Sequence, residues 1–218
     1  MQPPSVAMDE TLRRRNRLVL LALAALFFVP VALSFLMYYG HTWQPAARVN
    51  HGELIDPART LPKLTLPVVA GLVSEGGAWA GFTGKWSLVY AGDGACDDSC
   101  RHALVVMRQT RLALNNDMTR VQRVFLATGH CCTLDFVQQE HPGLVVVDAS
   151  GAAAVPLVLA FPQSNLSTSS PTSAATLAST YVFVVDPLGN LMMRYDTRDN
   201  PRGLLLDLQK LLRLSHIG

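Results

Sequence analysis

The chain has 218 residues, half of which are hydrophobic, and its formal net charge at pH 7 is +2. Such a nearly balanced charge gives no indication of nucleic-acid binding. Residues 60–218 are about as long as one ordinary domain and can bury a core without cross-links, so the four cysteines are not needed as staples.

The first predicted element is a membrane-spanning helix over residues 18–39, which carry no charged side chain. A helix of that length extends about 33 Å and crosses a hydrocarbon core of about 30 Å. Four arginines lie within residues 13–17, whereas the next Lys or Arg along the chain is Arg48. The positive-inside rule therefore predicts that residues 1–17 are cytoplasmic and that everything after the helix is exported.

A cleaved signal peptide is the alternative interpretation of this stretch, and the paired arginines have some similarity to a twin-arginine signal. The apolar stretch is longer than an ordinary signal core, and no small-residue cleavage site closely follows Tyr39. We therefore interpret residues 18–39 as an uncleaved anchor. No later stretch is long and apolar enough to span a membrane, so the sequence predicts a single-pass protein with one exported domain.

The exported part is predicted to begin with an extended tether over residues 40–63, which contain three prolines and little apolar periodicity. Strands, helices and one hairpin follow it. The predicted elements are strands at 63–70, 85–92, 121–128 and 144–149, a helix between Cys100 and Leu114, a hairpin at 181–195 and a closing helix at 201–215. Residues 164–180 are rich in Ser, Thr and Ala and receive no assignment.

This order of elements predicts an α/β domain over residues 64–218, in which helices cover a sheet. A cysteine pair lies where the first core strand turns into its helix, which fits the thioredoxin fold best. We therefore predict a thioredoxin-like fold preceded by one N-terminal transmembrane helix. No G-x-S-x-G, P-loop or H-E-x-x-H motif occurs in the chain, so hydrolase and nucleotide chemistry have no support.

The first candidate site is the pair Cys96 and Cys100. The N-terminal end of a helix stabilises a thiolate and lowers its pKa, and residues four apart face the same side of a helix. The intervening Asp97 and Asp98 oppose thiolate formation but attract cations. Three interpretations stay open: a disulfide staple, which gains little entropy from closing so short a loop, a redox pair, or half of a metal site. We expect both sulfurs at the exposed rim of the domain.

The second candidate site is the run His130, Cys131 and Cys132. It follows the strand at 121–128, which we expect beside the strand at 85–92, so that both cysteine groups end at one edge of the sheet. Adjacent cysteines do not bond each other without strained geometry, and thiolates with an imidazole suit copper or zinc. The alternative is a partly buried cysteine pair beside a surface histidine.

The remaining histidines are interpreted as residues that bind no metal. His102 lies two positions after Cys100 and would point to a different face of the same helix. Positions in the tether or on the solvated surface are predicted for His41, His51, His141 and His216.

Several stretches of the chain resemble the Sco/SenC-type copper-delivery proteins, which are membrane-anchored proteins of thioredoxin fold. The stretches are the N-terminal anchor, GKWSLVY, the C-x-x-x-C pair with its helix, RVFLA, and YVFVVDPLGNLMMRY with the closing helix. The features RVNHGELIDPARTLP and LLRLSHIG are similar to a divergent branch of transmembrane proteins found with bacterial cytochrome c oxidase biogenesis genes. The C-x-x-x-C pair in this context is the specific motif of the resemblance.

The resemblance implies a place in the bacterial inner membrane, with a cytoplasmic N-terminus, a periplasmic tether and a periplasmic domain. It also implies copper as the metal, and oxidase subunits or a copper chaperone as partners. Cys96 and Cys100 match the two cysteine ligands of the family. The family's third ligand is a histidine that would fall near Ala178 or Ser179, but residues 142–215 contain no histidine, so this ligand is missing.

The missing histidine leaves two interpretations. Either a substitute among His130, Cys131 and Cys132 completes a copper site, or copper binding is lost and a thiol–disulfide role remains. Thioredoxins also place a cis-proline before the strand that faces the cysteines, and Pro156 is the candidate for it if its surroundings form a strand.

We expect an assembly factor for cytochrome c oxidase that handles copper or electrons through Cys96 and Cys100. A general membrane-bound thiol-disulfide oxidoreductase and a non-catalytic scaffold that binds oxidase subunits are the alternatives. The sequence leaves open whether the chain is an enzyme.

Overall fold

The structure is a computed structural model that describes residues 6–40, 50–70, 77–129, 134–162, 180–215 and 217. The chain divides into two compact units, Met1–Val49 and Asn50–Gly218.

The first unit contains one long helix, α1 (Val6–Tyr39). Within its segment Leu12–Tyr39, the most apolar window of 18 residues has a mean hydropathy of 2.7, and no part of that window is buried inside the protein. In the part of the chain that the structure describes, this is the one helix long and apolar enough to cross a membrane. The predicted anchor at residues 18–39 lies within it.

The second unit is built on a mixed sheet with helices around it. The strands are β1 (Glu53–Thr60), β2 (Leu66–Ala70), β3 (Ala78–Trp79), β4 (Trp86–Asp93), β5 (Val121–Thr128), β6 (Leu144–Asp148), β7 (Tyr181–Val185) and β8 (Asn190–Asp196). The helices are α2 (Asp98–Ala113), α3 (Leu134–Glu140), α4 (Val155–Ala160) and α5 (Pro201–Leu214). Two 3₁₀ turns, Asn115–Arg120 and Ala152–Ala154, complete the described elements.

The strand order is β1-β8-β7-β4-β5-β6-β2-β3. The central strands β4, β5 and β6 are parallel, whereas β7, β8, β1 and β2 each join the sheet by antiparallel pairing. The residues of β4 and β5 are almost all buried, as expected for strands covered on both faces. The predicted neighbourhood of residues 121–128 and 85–92 is therefore confirmed, and the two strands pair up to Asp93 and Thr128 at their carboxyl ends.

Two hydrophobic cores lie on opposite faces of this sheet. One core packs α2 and α5 on the sheet and includes Tyr90, Phe125 and Leu204. The other core lies under α4, where Phe161 contacts Phe183 with ring centroids 5.0 Å apart. The alternating faces of β4 and β5 thus fix which side chains reach the helix that follows each strand.

Residues Glu53–Thr60, which the sequence assigns to the tether, form the edge strand β1. It pairs antiparallel with β8, with Glu53 opposite Arg194 and Thr60 opposite Asn190. Most of its side chains are exposed, so the strand lacks the apolar alternation that sequence analysis detects. The compact second unit, which contains this strand, begins at Asn50.

The segment around Pro156 also differs from the strand that a cis-proline role requires. Residues Val155–Ala160 form the helix α4, and Pro156 lies in its first turn, where a missing backbone N–H is tolerated. The assignment of Pro156 as a strand-leading proline is therefore wrong. The unassigned stretch at 164–180 falls outside the described residues except for Thr180.

Asp207 on α5 holds the first residues of the second unit in place. Its carboxylate accepts hydrogen bonds from the backbone N–H of His51 at 2.7 Å, the N–H of Gly52 at 3.0 Å and the hydroxyl of Tyr195 at 2.8 Å. The ring Nδ1 of His51 lies 3.0 Å from the other carboxylate oxygen. His51 is exposed, as predicted, and it also pairs with a buried carboxylate.

Candidate functional site

The chain makes a tight turn between the end of β4 and the start of α2. The carboxylate of Asp93 accepts a hydrogen bond from the N–H of Ala95 at 2.8 Å, and its carbonyl accepts one from the N–H of Cys96 at 3.1 Å. Cys96 has φ of 49°, a left-handed conformation that is uncommon for a residue with a side chain. This turn ends β4 and sets the direction in which the Cys96 side chain leaves the backbone.

Asp97 caps the N-terminus of α2. Its side-chain Oδ1 accepts a hydrogen bond from the backbone N–H of Cys100 at 2.9 Å. The cap satisfies one of the free N–H groups of the first turn and places a negative charge beside the cysteine pair. Burial, and after it the charge of Asp97, raises the pKa of Tyr90, so this buried phenol stays protonated beside the turn.

Cys96 and Cys100 are joined by a disulfide, with their Cα atoms 5.1 Å apart. Only 3% of Cys96 and 1% of Cys100 is exposed, and both belong to the core between α2 and the sheet. The expectation of sulfurs at an exposed rim is therefore wrong, because the turn directs both side chains inward. Cys96 also precedes α2, so the turn and not a shared helix face brings the sulfurs together.

His130, Cys131 and Cys132 lie outside the described residues, but the start of their loop is described. The N–H of Gly94 donates to the carbonyl of Thr128 at 3.3 Å, next to the paired ends of β4 and β5. Gly129 has φ of 90°, and a Cβ at this position would lie 3.1 Å from the Asp93 carboxylate. The loop with the second candidate site thus begins beside the turn that leads to the first.

No cluster of three His, Cys, Asp or Glu side chains suitable for a metal occurs among the described residues. Metal binding by Cys96 and Cys100 therefore stays a prediction. A third ligand from His130, Cys131 or Cys132 stays a prediction.

Two other histidines have defined environments. His102 is exposed on α2, with its Nε2 3.2 Å from the carbonyl oxygen of Thr197. His141, predicted on the surface, is only 2% exposed. It lies between the end of α3 and the start of β6, where its ring packs edge-on against Phe136 at a centroid distance of 5.8 Å. A single polar residue between two short elements carries no pattern that distinguishes burial from exposure.

Neither Asp93 nor Tyr90 is predicted as a functional residue from the sequence. The run Gly92-Asp93-Gly94 is a turn signal, and Asp side chains often bind the backbone within such turns. The hydrogen bond of Asp93 could therefore be predicted from the sequence. Nothing in the sequence marks Tyr90 among the apolar residues of β4.

Comparison with known proteins gives one family. Residues 86–156 and 160–215 match the model described as Transmembrane-like, thioredoxin-like, C-terminal domain. Residues 10–41 match the model described as Transmembrane-like, N-terminal domain. No curated protein matches the chain.

Solved structures of Sco proteins share the fold. Apo Sco1 from Thermus thermophilus is 20% identical with a TM-score of 0.55, and the match covers 76% of this chain and 99% of that chain. The copper-bound ScoI of Arabidopsis thaliana is 17% identical with a TM-score of 0.54 over 72% of this chain and 99% of that chain. The copper-bound yeast Sco1 is 13% identical with a TM-score of 0.53 over 72% and 90%. The predicted thioredoxin-like fold and the resemblance to Sco/SenC-type proteins are confirmed.

Proposed function

This chain belongs to the transmembrane-like, thioredoxin-like family, and from that premise we propose that it is a membrane-anchored assembly factor for cytochrome c oxidase. The observation that carries the proposal is the bonded pair Cys96–Cys100 at the junction of β4 and α2. Both cysteines occupy the junction of strand and helix that the sequence matches to the ligand pair of Sco proteins. The proposed activity is the exchange of electrons, and of copper as cargo, at these two sulfurs.

The proposed redox step conserves atoms and electrons. A dithiol donor supplies two electrons and two protons, which break the Cys96–Cys100 bond and leave two thiols, while the donor becomes a disulfide. The resulting dithiol reduces a disulfide on an oxidase subunit or on a copper chaperone, and the Cys96–Cys100 bond forms again. The client then has the two thiols that it needs to take up copper.

Copper delivery is the second part of the proposal. Once reduced, Cys96 and Cys100 offer two soft sulfur ligands, which suit Cu(I). The root of the loop with His130, Cys131 and Cys132 lies beside Asp93, and this supports the loop as the source of a third ligand. The acidic Asp97 beside the pair also favours a bound cation. The copper-bound structures of the Sco proteins of Arabidopsis thaliana and yeast agree with this choice of metal.

The proposed location is the bacterial inner membrane. The arginines at residues 13–17 favour a cytoplasmic N-terminus, and α1 provides a single span. The exported side then holds the periplasmic tether and the thioredoxin-like unit. The partners in this arrangement are oxidase subunits or a copper chaperone.

The burial of both sulfurs supports a second candidate function. A disulfide enclosed in the core is slow to react with an outside thiolate unless the site opens locally. In this case the chain is a non-catalytic scaffold for oxidase subunits, and the disulfide is a staple of the turn between β4 and α2.

A copper titration tests the first function. The full chain, reduced in detergent micelles, is titrated with Cu(I) against a competing chelator, together with the variants Cys96→Ser and Cys131→Ser. We expect the wild type to bind Cu(I) tightly, Cys96→Ser to lose that binding and Cys131→Ser to weaken it. Ser99→Ala, which changes a residue between the two cysteines but no sulfur, serves as the control. Equal binding by all four proteins would rule out both sets of ligands.

A further inference from the structure

The buried ring of His141 is an unusual feature of the second unit. Both ring nitrogens are shielded from solvent, and neither has a hydrogen-bond partner within the described part of the chain. A buried polar group that loses its water without a replacement is unfavourable, and the ionised form of such a group is more so. Burial of both nitrogens beside the ring of Phe136 therefore favours the uncharged imidazole.

The charged groups around His141 come from three elements and are mostly positive. Arg123 on β5 is 2% exposed, and its Nη2 donates to the carbonyl of Pro142 at 2.6 Å, while Nε and Nη1 have no partner among the described residues. Arg108 on α2 adds positive charge, and Glu140 on α3 is the negative group that opposes it. Burial, followed by the charge of Arg123, lowers the pKa of His141.

The neighbouring positive charges also affect the pKa of Arg123. Burial lowers the pKa of Arg123 to about 10, and the charges of Arg111 and Arg108 act in the same direction. At that value the guanidinium is still charged at neutral pH. A proton on His141 would therefore add a second buried positive charge beside the first.

His141 also connects two elements through its backbone. Its N–H donates to the carbonyl of Val137 at 3.0 Å at the end of α3, and its carbonyl accepts from the N–H of Leu144 at 3.0 Å at the start of β6. Movement of the ring out of the core therefore displaces the end of α3. We propose that His141 is a protonation-sensitive lock, which holds α3 against the sheet while the ring is neutral and releases it when the ring is protonated.

The direction of the pH dependence follows from the folded and open states. In the open state the ring titrates near its ordinary pKa of about 6.5, whereas the locked ring resists the proton until a lower pH. The lock is thus fully stabilising above neutral pH and weakens as the pH falls through the open-state value. Between pH of about 7.5 and about 5.5 one proton raises the opening equilibrium about tenfold, if the locked ring stays neutral throughout.

The lock lies close in sequence to the second candidate site. Leu134, the first residue of α3, comes two positions after Cys132. Acid release of α3 would therefore change the anchorage of the chain that follows Cys131 and Cys132. This inference concerns the stability of α3 alone and holds whether or not the cysteines carry copper or electrons.

Hydrogen exchange of the full chain in detergent micelles tests the lock. Protection factors of the α3 amides, corrected for the intrinsic exchange rate, are compared at pH of about 7.5 and about 5.5. We expect protection in the wild type to fall about tenfold and protection in His141→Phe, which keeps an aromatic ring, to stay constant. His102→Gln, which removes an exposed histidine, is expected to behave as the wild type. The same acid loss of protection in His141→Phe as in the wild type would overturn the proposal.

If the larger ring of His141→Phe prevents folding, two further measurements test the proposal. His141→Leu removes the titrating group with a smaller side chain and is expected to give the same constant protection. The ring pKa of His141 in the wild-type chain can also be measured directly by NMR. A value clearly below 6.5 is expected, and a value at or above the ordinary pKa of about 6.5 would overturn the proposal independently of any variant.

Discussion

Replacing Asp207 with alanine is expected to lower the free energy of unfolding of the second unit by about 3 kcal/mol. The change removes the acceptor of three hydrogen bonds and leaves the hydroxyl of Tyr195 and the N–H of Gly52 without a partner in the core. The half-exposed pairing with His51 adds less, because solvent screens it. Chemical denaturation of the full chain in micelles measures the effect.

Two variants bracket the Asp207 result. Tyr195→Phe removes one of the hydrogen bonds and is expected to cost about 1 kcal/mol. Asp199→Ala removes an exposed carboxylate near the N-terminus of α5 and is expected to change stability by less than about 0.5 kcal/mol. If Asp207→Ala lowers the free energy of unfolding as little as Asp199→Ala does, the contacts of Asp207 do not hold the first residues of the second unit.

The Asp207 carboxylate also has a pH signature. Burial alone raises its pKa, but the hydrogen bonds from His51, Gly52 and Tyr195 outweigh burial and leave the pKa below its ordinary value. The stabilisation is therefore complete above the unfolded-state pKa of about 3.9 and is lost as the pH falls through the folded-state value. Asp207→Ala is expected to lose this dependence of stability on acid pH. The effect of Asp207 lies at acid pH and the effect of His141 lies near neutral pH, so the two can be separated.

Replacing both cysteines, as Cys96→Ser with Cys100→Ser, is expected to stop the assembly of active cytochrome c oxidase in the cell that carries the chain. The variant lacks the only cysteine pair among the described residues, and with it the proposed electron exchange and the two proposed Cu(I) ligands. Loss of so short a disulfide loop costs about 2 kcal/mol of stability in the chain-entropy model, so the folded amount of the variant in the membrane must be measured beside oxidase activity.

The scaffold function predicts the opposite result for oxidase assembly in this double variant. If oxidase assembly is intact while the variant accumulates as a folded protein, the sulfurs are dispensable and the chain acts through its surface. Ser99→Ala again provides a matched change inside the same turn without loss of sulfur.

Much of the fold follows from local patterns in the sequence. The strand at 121–128, the hairpin at 181–195 and the closing helix have strong periodicity or turn signals, and the structure places all three where they are predicted. Residues 53–60 have no such pattern, because an edge strand with exposed side chains is stabilised by its backbone pairing with β8. That pairing depends on a partner at least 130 residues away, which no local window contains.

The candidate site follows from sequence in its position but not in its burial. Spacing along β4 and α2 places Cys96 and Cys100 at one junction, but the left-handed backbone of Cys96 and the hydrogen bonds of Asp93 decide that both sulfurs point inward. The same limit applies to His51 and His141. His51 pairs with Asp207, which is distant in sequence, and His141 is buried. Both environments therefore depend on tertiary packing.

A redox titration of the Cys96–Cys100 pair tests the central claim most directly. The full chain in micelles is equilibrated with thiol–disulfide buffers of defined potential, and the fraction of free thiols is read by alkylation and peptide mass spectrometry. A reactive pair is expected to show a reversible two-electron transition between about −180 and about −300 mV. A disulfide that stays oxidised at potentials below about −300 mV would be a structural staple and would contradict the account.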